Sequence, residues 1–145
     1  MQKNIEGLVQ ERKGMIVIGM ISSGKSTFLN SIFGFNYLQA NDNITTKFIC
    51  VIRYNPNLKE SKFYKLKLIK KNEKPGEYIY LKDGKEYIGK KIIKKQIKLI
   101  NDENHSSIEP KYEDLFWMLE VNTIPLENKE FMEKYDFYDI PGLDE

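Results

Sequence analysis

Residues Met15–Phe33, MIVIGMISSGKSTFLNSIF, decide how the rest of the chain is read. Met15-Ile16-Val17-Ile18 is a short apolar run, long enough for a buried strand and too short for a helix. Gly19-Met20-Ile21-Ser22-Ser23-Gly24-Lys25-Ser26 then matches G-x-x-x-x-G-K-[ST] without a break. Thr27 to Phe33 reads as a helix with Phe28, Leu29, Ile32 and Phe33 on one face, and Gly34 is its stop. A strand, a glycine loop and a helix in that order make a phosphate cradle. The two glycines let successive N–H groups turn inward, and the helix N-terminus adds its positive end. Lys25 can reach the outer phosphates, and the Ser26 hydroxyl can ligate Mg²⁺. The plainer alternative is a glycine turn with an incidental lysine; the strand–loop–helix setting favours the phosphate site.

Outward from that stretch, composition narrows the class. The chain has 145 residues, 41% of them hydrophobic and 30% charged, which suits one soluble globular domain with a real core. No apolar run approaches the roughly 18 residues of a membrane span, and Met1–Glu6 does not read as a secretory signal. A lone cysteine, Cys50, excludes an internal disulfide and a cysteine zinc cluster. The single histidine, His105, argues against a histidine metal site and reads as solvated. A reducing, cytoplasmic setting is expected. Fourteen of the 23 Lys and Arg residues fall between Lys59 and Lys98, against five acids, so that stretch carries a net +9. Such a block can meet anionic lipid or nucleic acid. A solvated lysine face is the plainer reading, and the absence of RNA-binding signatures speaks against nucleic acid.

Ahead of the first strand, residues 2–13 place Ile5, Leu8 and Val9 at helical spacing and predict a short amphipathic helix. Phe35–Asn43 is polar and turn-rich, a loop that ends at Ile44-Thr45-Thr46-Lys47. Phe48–Tyr54 follows as a clear strand, stopped by Asn55-Pro56-Asn57. A threonine closing a mobile loop some twenty residues after the loop lysine is used by GTP switches to complete a Mg²⁺ shell and sense the γ-phosphate. Thr45 is the first choice for that role over Thr46; the two could instead simply begin a strand, but the glycine loop at 19–26 favours the switch role.

Strands are predicted at 63–69 and 77–81, with a turn or helix start at Lys82-Asp83-Gly84. Ile88, Ile92, Ile93, Ile97 and Ile100 then define one face of a helix, followed by a polar loop over 101–111. Leu115–Val121 reads as a strand in which Trp117 packs, and Leu126–Met132 as a connector. Tyr135–Tyr138 leads into Asp139-Ile140-Pro141-Gly142, a D-x-x-G at a strand end. An acid belongs there to hold Mg²⁺ through water, and a glycine because its bare N–H can approach a γ-phosphate.

Three pieces in this order resemble the dynamin superfamily of large GTPases. The phosphate loop reads G-x-x-S-S-G-K-S-T, and the third motif, Asp139-Ile140-Pro141-Gly142-Leu143, is similar to the family's D-[LIV]-P-G-[LIVT]. The resemblance implies one partial G domain over residues 1–145: a P-loop at 19–26, a switch I loop at 35–46, an insertion at 59–114 and the D-x-x-G at 139–142. The implied fold is α/β, a three-layer doubly wound P-loop sheet in its N-terminal half, with an inserted strand/helix segment. Ser22, Ser23, Gly24, Lys25, Ser26, Thr27 and Gly142 would bind nucleotide, with Ser22, Lys25 and Thr45 serving catalysis. Ser26, Thr45 and Asp139 would hold Mg²⁺. GTP hydrolysis, self-association through the G domain, and membrane remodelling through other regions, peripheral to an organelle, are implied; nucleic acid is not.

Two departures stand out. Ile21 occupies the place where typical members have a water-positioning glutamine, so hydrolysis is expected to be slow or to rely on another group. No guanine-reading [TN]-K-x-D lies within the 145 residues, so a non-catalytic nucleotide-binding module and a P-loop ATPase or kinase stay open. The strand at 15–18 should be central in such a sheet, its far edge taking strands that follow the D-x-x-G. These residues alone are therefore expected to expose an apolar edge and to be aggregation-prone.

Overall fold

The computed structural model describes residues 7–17, 25–34, 48–70, 78–103, 116–125, 127 and 129–140. They form six strands and three helices. β1 (Lys13–Val17) precedes α1 (Lys25–Phe33), and β2 (Ile49–Tyr54), β3 (Lys62–Lys70) and β4 (Tyr78–Ile88) follow. α2 (Lys90–Glu103), β5 (Phe116–Val121), α3 (Lys129–Lys134) and β6 (Tyr135–Asp139) complete the order. The strands make one mixed sheet in the order β1-β6-β2-β5-β3-β4. β1 runs parallel to β6, and β2 parallel to β5. β2 meets β6 antiparallel, as β3 does both β5 and β4. β1 stands at one end of that order, beside a single strand, so among the described residues its other edge is open, as expected of these residues alone.

Alternation along the strands sorts the core onto two faces. Cys50, Ile52 and Tyr54 of β2, Leu119 and Val121 of β5 and Phe137 of β6 point to one face. There they meet Leu29 and Phe33 of α1, Ile93, Ile97 and Ile100 of α2, and Met132 of α3. Trp117 packs as expected, stacked on Phe63 with centroids 4.8 Å apart. The opposite face gathers Ile49, Val51, Tyr64, Leu66, Phe116 and Met118, with Val9 laid over them. All three helices thus belong to one face, and the described residues form two layers where three were expected.

Residues 7–12 correct the predicted N-terminal helix. Gly7 takes a positive φ of 78°, and Leu8 bridges Leu81 in antiparallel fashion. The Val9 amide donates to the Tyr80 carbonyl and the Lys82 amide to the Gly7 carbonyl, both at 3.0 Å. The segment is a strap against β4, because pairing with a strand edge outweighs a helical spacing too short to nucleate alone. Residues 2–6 of that prediction lie outside the described residues, as do the polar loop 35–47, most of the 101–111 loop, and His105.

Three further boundaries move. Lys82-Asp83-Gly84 is neither turn nor helix start: β4 runs through it, with Tyr64 paired to Glu86 and Lys65 to Asp83. The residues between are absorbed in a bulge where Gly84 takes a φ of 86°. α2 starts after Gly89 and continues past Ile100, so Asn101 is a buried helical residue rather than loop. Of its expected apolar face, Ile93, Ile97 and Ile100 are buried while Ile88 and Ile92 are exposed. The connector expected at 126–132 gives way to α3 from Lys129.

Two tyrosines on the strap face make the fold sensitive to alkali. Burial, first, and the neighbouring Glu120, second, push the Tyr64 hydroxyl far above its ordinary value of 10.0. Burial and the Tyr80 hydroxyl, 3.3 Å away, do the same to Tyr138. A raised folded-state value means that the unfolded chain releases its protons first. The stability is therefore whole below pH 10 and declines above it, by up to about 1.4 kcal/mol per pH unit for each group. Urea melts between pH 8 and 11 should show this loss, and Tyr138→Phe should remove about half of it, leaving the share of Tyr64; a flat profile in the parent protein would contradict the burial.

Candidate functional site

The sheet order brings the strand ends next to the sequence motifs to one edge. β1 and β6 are parallel, and Val17 lies directly opposite Asp139. β1, the strand that precedes the glycine loop in sequence, therefore ends beside the residue that opens the D-x-x-G. On the other side of Asp139 stands Cys50, its antiparallel partner in β2. β2 enters the sheet at this edge, so Thr45 is only four residues of chain from Ile49. Adjacent strands are about 4.8 Å apart, which makes Val17, Asp139 and Cys50 three neighbouring rungs. Gly19–Gly24, Thr45, Thr46 and Gly142 themselves lie outside the described residues.

α1 is tied to the same place. It begins at Lys25, whose backbone, with those of Ser26 and Thr27, forms its first turn; their side chains are outside the described set. The Phe33 ring meets Phe137 edge-on with centroids 5.3 Å apart. Phe137 and Asp139 point to the same face by alternation, so the acid is on the side of the sheet that α1 covers. Gly34, at a φ of 70°, ends the helix as expected and lies close under Pro125.

Asp139 is fully buried, at 0% exposure. A carboxylate held in that setting is costly unless positive charge reaches it. Its field adds to burial in raising the Cys50 thiol well above its ordinary value, so Cys50 stays a neutral, packed thiol. Among the described residues no cluster of three or more His, Cys, Asp or Glu side chains is placed to hold a metal. One acid with hydroxyls and phosphates is the donor set that Mg²⁺ takes at nucleotide sites, and a single buried acid at the edge fits it.

Charge at the far end of the sheet has a different office. Arg53 is clamped on Asp136 through Nε–Oδ1 and Nη2–Oδ2 contacts of 2.8 Å, and its Nη2 also donates to the Gln10 carbonyl. Desolvation lowers the Arg53 value, but the Asp136 bond and charge outweigh it and leave it raised. Glu120 accepts from the Tyr64 hydroxyl at 2.8 Å and from Asn55 at 3.0 Å. Sequence reading passed over this buried network; an arginine within FICVIRY and an acid within YDFYD were its only signal.

A family model supplies the decision. The model described as the dynamin family matches residues 15–145. The chain belongs to the dynamin family. Its match opens at Met15 and takes in the glycine loop, the threonine segment and the D-x-x-G, so a dynamin-type GTP-binding domain is what these strands carry. A search of curated proteins finds no significant match. Among the described residues no helix is long and apolar enough to cross a membrane.

Proposed function

We propose that this dynamin-family chain binds GTP with Mg²⁺ at the edge formed by Val17, Asp139 and Cys50, and hydrolyses it. The observation that carries this reading is the register that sets Asp139 between the strand leading into the glycine loop and the strand following Thr45. In it, Ser22, Ser23, Gly24 and Thr27 surround the phosphates and Lys25 neutralises the outer ones. Ser26, Thr45 and Asp139 would hold Mg²⁺, the first two by their hydroxyls and the last by its carboxylate. Mg²⁺, held there, would supply neutralisation of phosphate charge. Gly142 offers an N–H where charge grows on the γ-phosphate, while Ser22 and Thr45 orient the attacking water in place of the side chain that Ile21 lacks. The wider reading is a doubly wound G domain with an insertion at 59–114, acting through self-association in membrane remodelling.

Ile21 favours one second reading, a module that binds nucleotide without turning it over. Titration of fluorescent GTP and ATP with Mg²⁺, with phosphate release followed alongside, separates the two. Lys25→Ala is expected to weaken binding about 10- to 150-fold, the equivalent of the ~1.5–3 kcal/mol in a charged hydrogen bond. GTP binding without phosphate release would select the second reading; no binding by the folded parent chain would overturn both.

A further inference from the structure

The densest run of lysines in the sequence lies on α2, and none of these lysines is given a role above. We propose that the outward face of α2 is a docking surface for an anionic lipid bilayer. The helix reads KKIIKKQIKLINDE and packs inward through Ile93, Ile97 and Ile100. Lys90, Lys91, Lys94, Lys95 and Lys98 are all exposed. Among the described residues none of these five takes part in an ion pair; the lysines that do pair with Glu86 are Lys62 and Lys82. Acids enter the helix only at its last two residues, Asp102 and Glu103.

The same surface exposes apolar groups. Ile92 is 54% and Leu99 45% exposed, and seven residues apart they fall on one line of the helix. Lys91, Lys95 and Lys98 run alongside at helical spacing, and Ile88, 42% exposed, stands at the approach to the helix. Exposed aliphatics flanked along one side by unpaired lysines, with Gln96 on the other, suit a headgroup region, where ammonium groups meet phosphate and carboxylate while the aliphatics dip below.

The chemistry distinguishes lipid from nucleic acid. All fourteen cations between residues 59 and 98 are lysines, with no arginine to form the bidentate fork that reads bases or phosphates. No aromatic ring is exposed on α2 to stack a base, since the helix contains none. Lysines acting as point charges recognise a diffuse anionic surface instead.

The test is sedimentation of the full chain with vesicles of phosphatidylserine in phosphatidylcholine and with phosphatidylcholine alone. Binding is expected to the anionic vesicles only and to fall as salt is raised. Each lysine near such a leaflet is worth about fivefold in affinity, so Lys91→Glu with Lys95→Glu should weaken binding about thirtyfold or more. Lys129→Glu with Lys134→Glu makes the same change of net charge on α3 and should leave binding nearly intact. An equal loss in both pairs, equal binding to neutral vesicles, or no binding by the folded parent chain would overturn the proposal. So would tighter, salt-sensitive binding of a single-stranded oligonucleotide that displaces the vesicles, which would give the face to nucleic acid.

Discussion

Arg53→Ala is expected to destabilise the protein by about 3–5 kcal/mol, because it strands Asp136 as a buried charge without its counter-ion. Both partners are nearly inaccessible, with side chains 7% and 4% exposed, and both guanidinium contacts are at 2.8 Å. The loss should appear in thermal melts as a fall of roughly 10–20 °C for a domain of this size. Replacing both partners, as Arg53→Met with Asp136→Leu, should recover most of it, since an apolar pair leaves no charge to compensate. A single alanine costing less than about 1 kcal/mol would mean that the pair behaves as a solvated surface bridge.

The consequence reaches the proposed nucleotide edge through register. Ile52 opposes Phe137, Val51 opposes Tyr138 and Cys50 opposes Asp139, and the Arg53–Asp136 clamp stands one step beyond the first of these. A slip of one residue between β2 and β6 would turn every side chain of that strand to the other face. The clamp therefore helps hold Asp139 on the side that α1 covers. Arg12, donating to the Tyr54 carbonyl at 2.9 Å, and the Gln10 carbonyl tie the N-terminal strap to the same device.

How far the sequence was legible follows from what each signal depends on. The strands at 48–54, 115–121 and 135–138 were readable because β-branched and aromatic runs bounded by turn residues carry their own signature. The helix after the glycine loop was readable for the same local reason, and Gly34 marked its end. The N-terminal strap was not, because its hydrogen bonds come from Tyr80 and Lys82, some seventy residues away. Nor was the long β4: Lys82-Asp83-Gly84 has turn chemistry, and only pairing with β3 converts it to a bulge. On α2 the isoleucine spacing admits both Ile92 and Ile93, about 100° apart around the helix, and packing takes only Ile93. As for the site, the motifs named its candidate residues, but the proposed meeting of those residues rests on β6 lying between β1 and β2, a topological fact that no spacing in the sequence contains.

The sharpest test of that meeting is Asp139→Asn. The substitution keeps the shape of a fully buried side chain and removes its charge, whereas alanine would mix metal loss with a cavity. If Asp139 holds Mg²⁺ through water, it acts as an outer-shell partner, and such residues typically cost about 10–100-fold in metal affinity when altered. Mg²⁺-dependent GTP binding should therefore weaken by about that factor. Binding measured in EDTA, which depends on the glycine loop and Lys25, should hardly change. The circular dichroism spectrum should match the parent's, so that a loss cannot be laid to unfolding. Lys25→Ala should show the opposite pattern, weakening binding with and without Mg²⁺, because an ammonium on phosphate acts whether or not the metal is present. The two variants thus divide one edge into a metal half and a phosphate half. An equal loss in EDTA for Asp139→Asn would assign the acid to holding up the end of β6, and the metal would have to be carried by other residues.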